Sequence, residues 1–338
     1  MTENIPPPTG ETASLISPNQ LPPPIVEPIA DAVVMPVGPE AGIGCGVFRP
    51  DGSFCDLSRT RLSRSRFSAI PDHPGTTTRE RLTGNYLFAG IGRHHFGHFI
   101  METLSRLWAL DGRQDRFDGL ILLPMYQIDF GAVLRRRLLS FLRLMGCNMP
   151  LHLVRTPMTV DTLYLPAQGF GHMQWATGTG EFRSYVRDRI DRNCPAIGPE
   201  KIYVSRSKLK YSHQRVDQEA RIEALMKSAG YAIFHPQRHS IRAQCQIYRA
   251  AHTIVGGDGS AFHLAPFAMQ SETRVGLIQR RTRQDAVESM ANQIKAFAPV
   301  DLVRLNPIKE SATAANKDSA APISFESLKE QLEAAHLI

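Results

Sequence analysis

No stretch of this 338-residue chain approaches the ~18 consecutive apolar residues of a membrane-spanning helix, and the N-terminus lacks the basic-then-apolar pattern of a secretory signal. Cysteine is scarce. The five, Cys45, Cys55, Cys147, Cys194 and Cys245, are scattered, odd in number and without a CxxC. They leave no disulfide framework to read, and predict buried or free thiols in a reducing compartment. The expectation is a cytoplasmic protein. Walker A, complete GxGxxG and HExxH patterns are all missing. Negative charge is also short: 39 Lys and Arg face 32 Asp and Glu, a net charge of +7. That balance fits an anionic partner, whether nucleotide, nucleic acid or acidic membrane surface, without choosing among them.

What is present has the composition of an ordinary globular protein, long enough for two domains. Residues 1–27 hold two triple-proline runs among polar residues and read as an extended, disordered tail. Residues 28–192 alternate short apolar runs with amphipathic segments. Strands are expected around Ala32–Met35, Gly46–Phe48, Gly84–Gly90, Gly119–Pro124, Leu151–Arg155 and Thr162–Leu165. Helices are expected over Ala132–Met145, over Glu181–Arg192 and, as the strongest, over about His95–Leu110, where Phe96, Phe99, Ile100, Leu104, Leu107 and Leu110 recur at helical spacing. Two basic runs, Arg61–Arg66 and Arg135–Arg143, read first as solvated faces; the second also suits peripheral contact with an anionic membrane. Asn193–Glu200 reads as a hinge. A second α/β domain is then expected over 193–305, followed at 306–338 by a flexible tail with a short helix capped by Ser324.

The stretch around which the rest is organised is Lys201–Gln279. Ile202–Val204 and Thr253–Val255 are too short for helices and read as buried parallel strands, and in open α/β sheets ligands lie beyond the carboxyl ends of such strands. After the first strand come Arg206, Lys208, Lys210 and Arg215, with no acid between Lys201 and Asp217, a pattern suited to a diphosphate. After the second comes Gly256-Gly257-Asp258-Gly259-Ser260, where glycine admits close backbone approach and a helix start offers N–H donors, although a plain tight turn capped by Asp258 or Ser260 explains the string nearly as well. In the other half, His94, His98 and Glu102 fall one turn apart on one helical face. An imidazole held by a carboxylate is a general-base arrangement; a structural His–Glu pair, or Arg106 satisfying Glu102, are the bland alternatives. A metal site is set aside, because no third ligand is evident in the sequence.

Three ordered segments resemble glycosyltransferase family 61, whose bacterial members include capsular polysaccharide biosynthesis proteins. His98-Phe99-Ile100-Met101-Glu102, followed by Arg106 and Leu107, is similar to the family's HF-x-x-E motif. Tyr203-Val204-Ser205-Arg206-Ser207-Lys208 with Arg215 and Glu219 is similar to its YVSR-x-K … R-x-x-N-E segment, with Gln218 in the Asn position. Gly256–Leu264 is similar to G-x-H-G-x-x-L-T-N, with Asp258 for His and Leu264 for Asn. The resemblance implies an α/β, GT-B-like architecture of two Rossmann-like domains with a cleft between them, and inverting transfer with no metal or other cofactor. The expected reaction moves a sugar from a nucleotide sugar to a polysaccharide or lipid-linked glycan acceptor. Arg206, Lys208 and Arg215 would neutralise the diphosphate, Gly257, Gly259 and Ser260 would cradle it, Glu219 would hold the ribose, and His263 would complete the donor site. His98 supported by Glu102 is the expected base, with Asp258 second. The alternative is a non-catalytic basic binding or assembly protein of a polysaccharide or nucleic-acid complex. Nucleic acid is disfavoured as a partner, since the basic loops have few aromatic platforms beyond Tyr203 and Tyr211. The sequence specifies no oligomeric state.

Overall fold

The computed structural model describes residues 17, 19–38, 43–75, 79–125, 131–310 and 318–338. The first proline triplet therefore lies outside the described residues. The second, Pro22–Pro24, follows a residue pinned to the body, where Trp175 Nε1 donates to Gln20 O at 2.8 Å, and runs on into the first strand at Val26.

The first sheet runs in the order β2-β1-β6-β3-β4-β5. Its strands are β1 (Val26–Met35), β2 (Gly46–Phe48), β3 (Glu80–Gly92), β4 (Gly119–Pro124), β5 (Leu151–Leu153) and β6 (Met158–Pro166). β6, β3, β4 and β5 are parallel, while β1 runs antiparallel to both β2 and β6. β4 is buried at every position, as its unbroken apolar run requires of a strand covered on both faces. The second sheet is wholly parallel in the order β11-β10-β9-β7-β8, from β7 (Lys201–Val204), β8 (Ala232–Phe234), β9 (Thr253–Gly257), β10 (Arg274–Ile278) and β11 (Asp301–Leu305).

Helices α1 (Phe96–His98), α2 (Gly131–Leu144) and α3 (Gly180–Asn193) belong to the first half of the chain. To the second belong α4 (Glu219–Ser228), α5 (Ile241–Ala250), α6 (Ala261–Leu264), α7 (Gln284–Phe297) and α8 (Phe325–Ala334). The arrangement is GT-B-like: two Rossmann-like α/β units facing one another across a cleft. One apolar core runs from Leu104 and Phe170 through Phe182 to Phe267 and Phe297, so the two walls of the cleft share a foundation. Phe170 and Phe182 stack at 4.8 Å, and Phe297 meets Phe267 at 5.0 Å. None of the described helices is long and apolar enough to cross a membrane, and all five cysteines are buried and free.

Four expectations change. The long helix over His95–Leu110 is not one regular helix. α1 gives way to a π-helical turn at Phe99–Thr103 and then to 3₁₀ geometry at Leu107–Leu110. Leu104 N bonds back to Phe99 O, and Thr103 Oγ1 caps Arg93 N at 2.9 Å, so the helix is wound wide where its apolar side is anchored. Such turns cluster at functional sites. Arg61 is not a solvated residue: its guanidinium lies over Trp175 at 5.1 Å and donates to the carbonyls of Ser63 and Arg64. The final helix is docked, with Leu328 and Leu332 fully buried against Tyr203, Ile222 and Met226. Finally, α7 and β11 were not anticipated, although Val287, Met290, Ala291 and Ile294 are spaced as a buried helical stripe.

Candidate active site

The turn after β3 carries His94, His95 and His98. Glu102 sits in the π-helical segment with its side chain wholly buried, and its Oε1 accepts from two imidazoles at once: His98 Nδ1 at 2.7 Å and His172 Nε2 at 2.7 Å. Its Oε2 has no hydrogen-bond partner among the described residues, and the Arg93 guanidinium stands 3.6 Å away. Burial opposes ionisation of Glu102, but the two imidazole hydrogen bonds outweigh it and hold the pKa at about 2. An ionised carboxylate only accepts. Each imidazole therefore presents an N–H to Glu102, and in a neutral ring the lone pair falls on the other nitrogen, Nε2 on His98 and Nδ1 on His172. Both rings remain partly open, at 35% and 22% of the side-chain surface.

The facing wall is cationic. Arg206 follows β7; Arg280, Arg281 and Arg283 follow β10. A cavity of about 690 Å³ lies between the walls, lined by His98, His172 and His263 as well as Arg206, Arg280 and Arg281. Arg206 is 8% exposed, with Nε donating to Gln214 O at 2.6 Å. Its pKa is lowered to about 10 by burial and by Arg280, which leaves it charged at neutral pH. The guanidinium lies so close to the main chain of Gly259 that an added Cβ there would fall about 2.0 Å from its NH1. The cationic group and the glycine turn thus meet at the cavity wall, next to Ser260.

His263 lies behind the rim, half-buried, with Nδ1 donating to Gln293 Oε1 at 2.7 Å and its carbonyl accepting from Gln293 Nε2 at 2.9 Å. Burial drives its pKa to about 4, against the Gln293 bond, so at neutral pH it is an uncharged ring lining the cavity.

Several expected site residues stand elsewhere. Glu219 does not reach the cavity. It is 5% exposed, and its carboxylate accepts from Arg206 N at 2.6 Å, Val216 N at 3.2 Å and Tyr203 Oη at 3.4 Å, holding the Arg206 loop in shape. Arg215 closes the same loop by donating Nε and NH2 to Leu209 O, and Lys208 points into solvent. Gly257 is buried, and a side chain there would strike Val216 Cγ2, so its glycine answers to packing. Asp258 is fully buried between arginines: Arg281 Nε lies 2.7 Å from Oδ2, and Arg280 Nε 3.1 Å from Oδ1 and 2.8 Å from the carbonyl. A carboxylate fixed between two guanidiniums aligns them, and Asp258 is not among the residues that line the cavity. Arg106, weighed as a partner of Glu102, instead donates to Pro166 O and to Arg59 O and lies over Phe88.

Two sets of site residues escaped the sequence. Arg280, Arg281 and Arg283 carry a readable signal, a basic cluster immediately past a buried strand, just as Arg206 does. His172 carries none, because only the approach of the 167–173 loop to the turn at His98 makes it relevant.

Residues 96–276 match the family described as Glycosyltransferase 61, and the match spans more than half of the chain. The chain belongs to glycosyltransferase family 61. It is accordingly an enzyme of glycosyl transfer, and the paired histidines and arginine wall lie on elements within or immediately beside the matched region. Among solved structures, the dodecameric iron-containing heptosyltransferase TibC, in complex with ADP-D-beta-D-heptose, aligns over 98% of this chain and 99% of its own at 10% identity and a TM-score of 0.39. No curated protein matches this family 61 glycosyltransferase.

Proposed function

We propose that the enzyme is an inverting, metal-independent transferase that moves a sugar from a nucleotide sugar to a hydroxyl of a polysaccharide or lipid-linked glycan. The reading rests on one observation: a buried carboxylate orients two imidazoles into a cavity whose opposite wall is built of arginines. The acceptor oxygen attacks the anomeric carbon on the face opposite the nucleotide, forming the new C–O bond as the bond to the diphosphate breaks. His98 Nε2 takes the acceptor proton, while Glu102 fixes the tautomer and stabilises the imidazolium that forms. Charge develops on the departing diphosphate, where Arg206, Arg280 and Arg281 stand already oriented by Gln214 and Asp258. α6 has only four residues, so the guanidiniums and not a helix dipole supply most of the stabilisation.

A second reading has an observation behind it. One ligand atom each from His98, Glu102 and His172 lie within 4.8 Å of one another, close enough to gather around a divalent ion. The metal-free reading is favoured because both imidazoles are already satisfied by Glu102 at 2.7 Å, and because Arg93 sits against the carboxylate. Arg206→Ala should abolish calorimetric binding of nucleoside diphosphates. His98→Ala should leave that binding intact while lowering turnover by about 10²- to 10⁴-fold, and chelator-treated enzyme should keep its activity. Unchanged nucleoside diphosphate affinity in Arg206→Ala defeats the proposal; activity lost to chelator and restored by a divalent ion replaces it with the metal reading.

A further inference from the structure

We infer that a second cavity, at the β7–β8 side of the cleft, seats the nucleobase of the donor, and that Gln244 reads an N–H on the base edge. The inference rests on the nucleotide-sugar reading above. The chain leaves β7 for β8 on one side and returns to β9 on the other, so the topological switch lies between β7 and β9. Arg206 and Gly259 flank that crevice, which makes it the diphosphate seat. From there a nucleotide sugar runs two ways. The sugar goes toward the histidines. The nucleoside goes toward a cavity of about 490 Å³ that shares Phe96, Arg137, Arg206 and Ser260 with the larger one.

That second cavity has the character of a base pocket. Val204, Pro236, Ile241 and Ala261 give it apolar walls, Phe96 closes it from the opposite half, and no carboxylate lines it. Gln244 lines it too, at 4% exposure. Its amide nitrogen donates to His239 O at 3.1 Å, which fixes the amide orientation, and its Oε1 has no donor among the described residues. A buried carbonyl oxygen left unsatisfied beside an apolar slot is an acceptor awaiting a ligand N–H. Nucleobases present such groups at their edges, as the imide N–H of uracil or thymine, the lactam N–H of guanine or the amino group of adenine or cytosine, and their flat faces suit the apolar walls. A lipid tail of the acceptor would fill the slot without using the acceptor oxygen, and so fits less well.

The test compares UDP, dTDP, GDP, ADP, CDP and inorganic pyrophosphate by titration calorimetry on the full chain and on Gln244→Leu. The wild type is expected to prefer one base. Gln244→Leu should weaken that diphosphate by about tenfold and leave pyrophosphate unchanged, the latter also showing that the variant is folded. Gln244→Glu, which keeps the acceptor, should retain the preference. Equal binding of all five nucleotides, unaltered in Gln244→Leu, overturns the inference while leaving the transferase reading in place. A Gln244→Leu effect confined to the KM of the acceptor overturns it in favour of an acceptor pocket. Failure of all the nucleotides and of pyrophosphate to bind overturns the nucleotide-sugar reading itself.

Discussion

At the scale of single residues, the site works through groups whose partners are already committed. Gly259 lies directly against the Arg206 guanidinium. A methyl there meets the tip of the Arg206 side chain first, and the tip can shift without moving the backbone but not without leaving its place at the cavity wall. Gly259→Ala should therefore change stability by less than about 1 kcal/mol yet cost at least about tenfold in nucleoside diphosphate affinity. Melting and calorimetry on one preparation separate the two effects. His263 gives a pH signature. Its folded pKa of about 4 lies below the ordinary value of 6.5, so the unfolded chain binds the proton first. The stability associated with the neutral ring is complete above pH 6.5 and is lost as pH falls toward 4. In His263→Gln the loss of stability across that window should be smaller than in the wild type, as denaturant titrations at a series of pH values would show. Glu102 follows the same sign in a lower window, from its ordinary 4.5 down to about 2.

At the scale of elements, α7 ties the cleft together. It packs against the 3₁₀ turn Met173–Thr177 in the first half of the chain, where Ser289 Oγ donates to Met173 O at 3.1 Å, and Gln293 on the same helix orients His263. Its last residue, Phe297, closes the aromatic group of Phe170, Phe182 and Phe267. Phe297→Ala should cost about 3–5 kcal/mol and lower activity through the loosened cleft as well as through stability; urea melts and turnover measured together check this. The π-helical turn shows how an element overrides its sequence. Phe99, Ile100, Leu104, Leu107 and Leu110 are buried as their spacing predicts, whereas Phe96 is half-buried and lines the cleft, and the added residue in the turn was not readable from that spacing.

At the scale of the whole molecule, the cationic cleft is crossed near its mouth by the chain's last segment. Asp318 pairs with Arg281 at 3.0 Å and Arg283 at 3.2 Å, and Ala321 N bonds to Arg280 O at 2.7 Å. α8, through Leu328 and Leu332, and Leu337 just beyond it anchor that segment on the second sheet. Leu332→Ala should destabilise the enzyme by about 2–5 kcal/mol, with a reduced urea midpoint as the readout. An α8 that contributes nothing to the fold would leave the midpoint unmoved.

Much of this was determined by the residues in order. Short apolar runs punctuated by glycine and proline specify the strands, because each is too short for a helix and too apolar to lie on a surface. The parallel second sheet and the placement of Arg206 and Gly259 past its strands follow from that. The pairing of His98 with Glu102 follows from their four-residue spacing. Tertiary structure alone decided the remainder. It brought His172 to the same carboxylate oxygen, enclosed Asp258 between Arg280 and Arg281, and turned Glu219 and Arg215 from ligand groups into supports for a loop. The reason is physical: spacing along a chain fixes which face of an element a side chain occupies, whereas its partners are set by what folds against that face from far away in sequence.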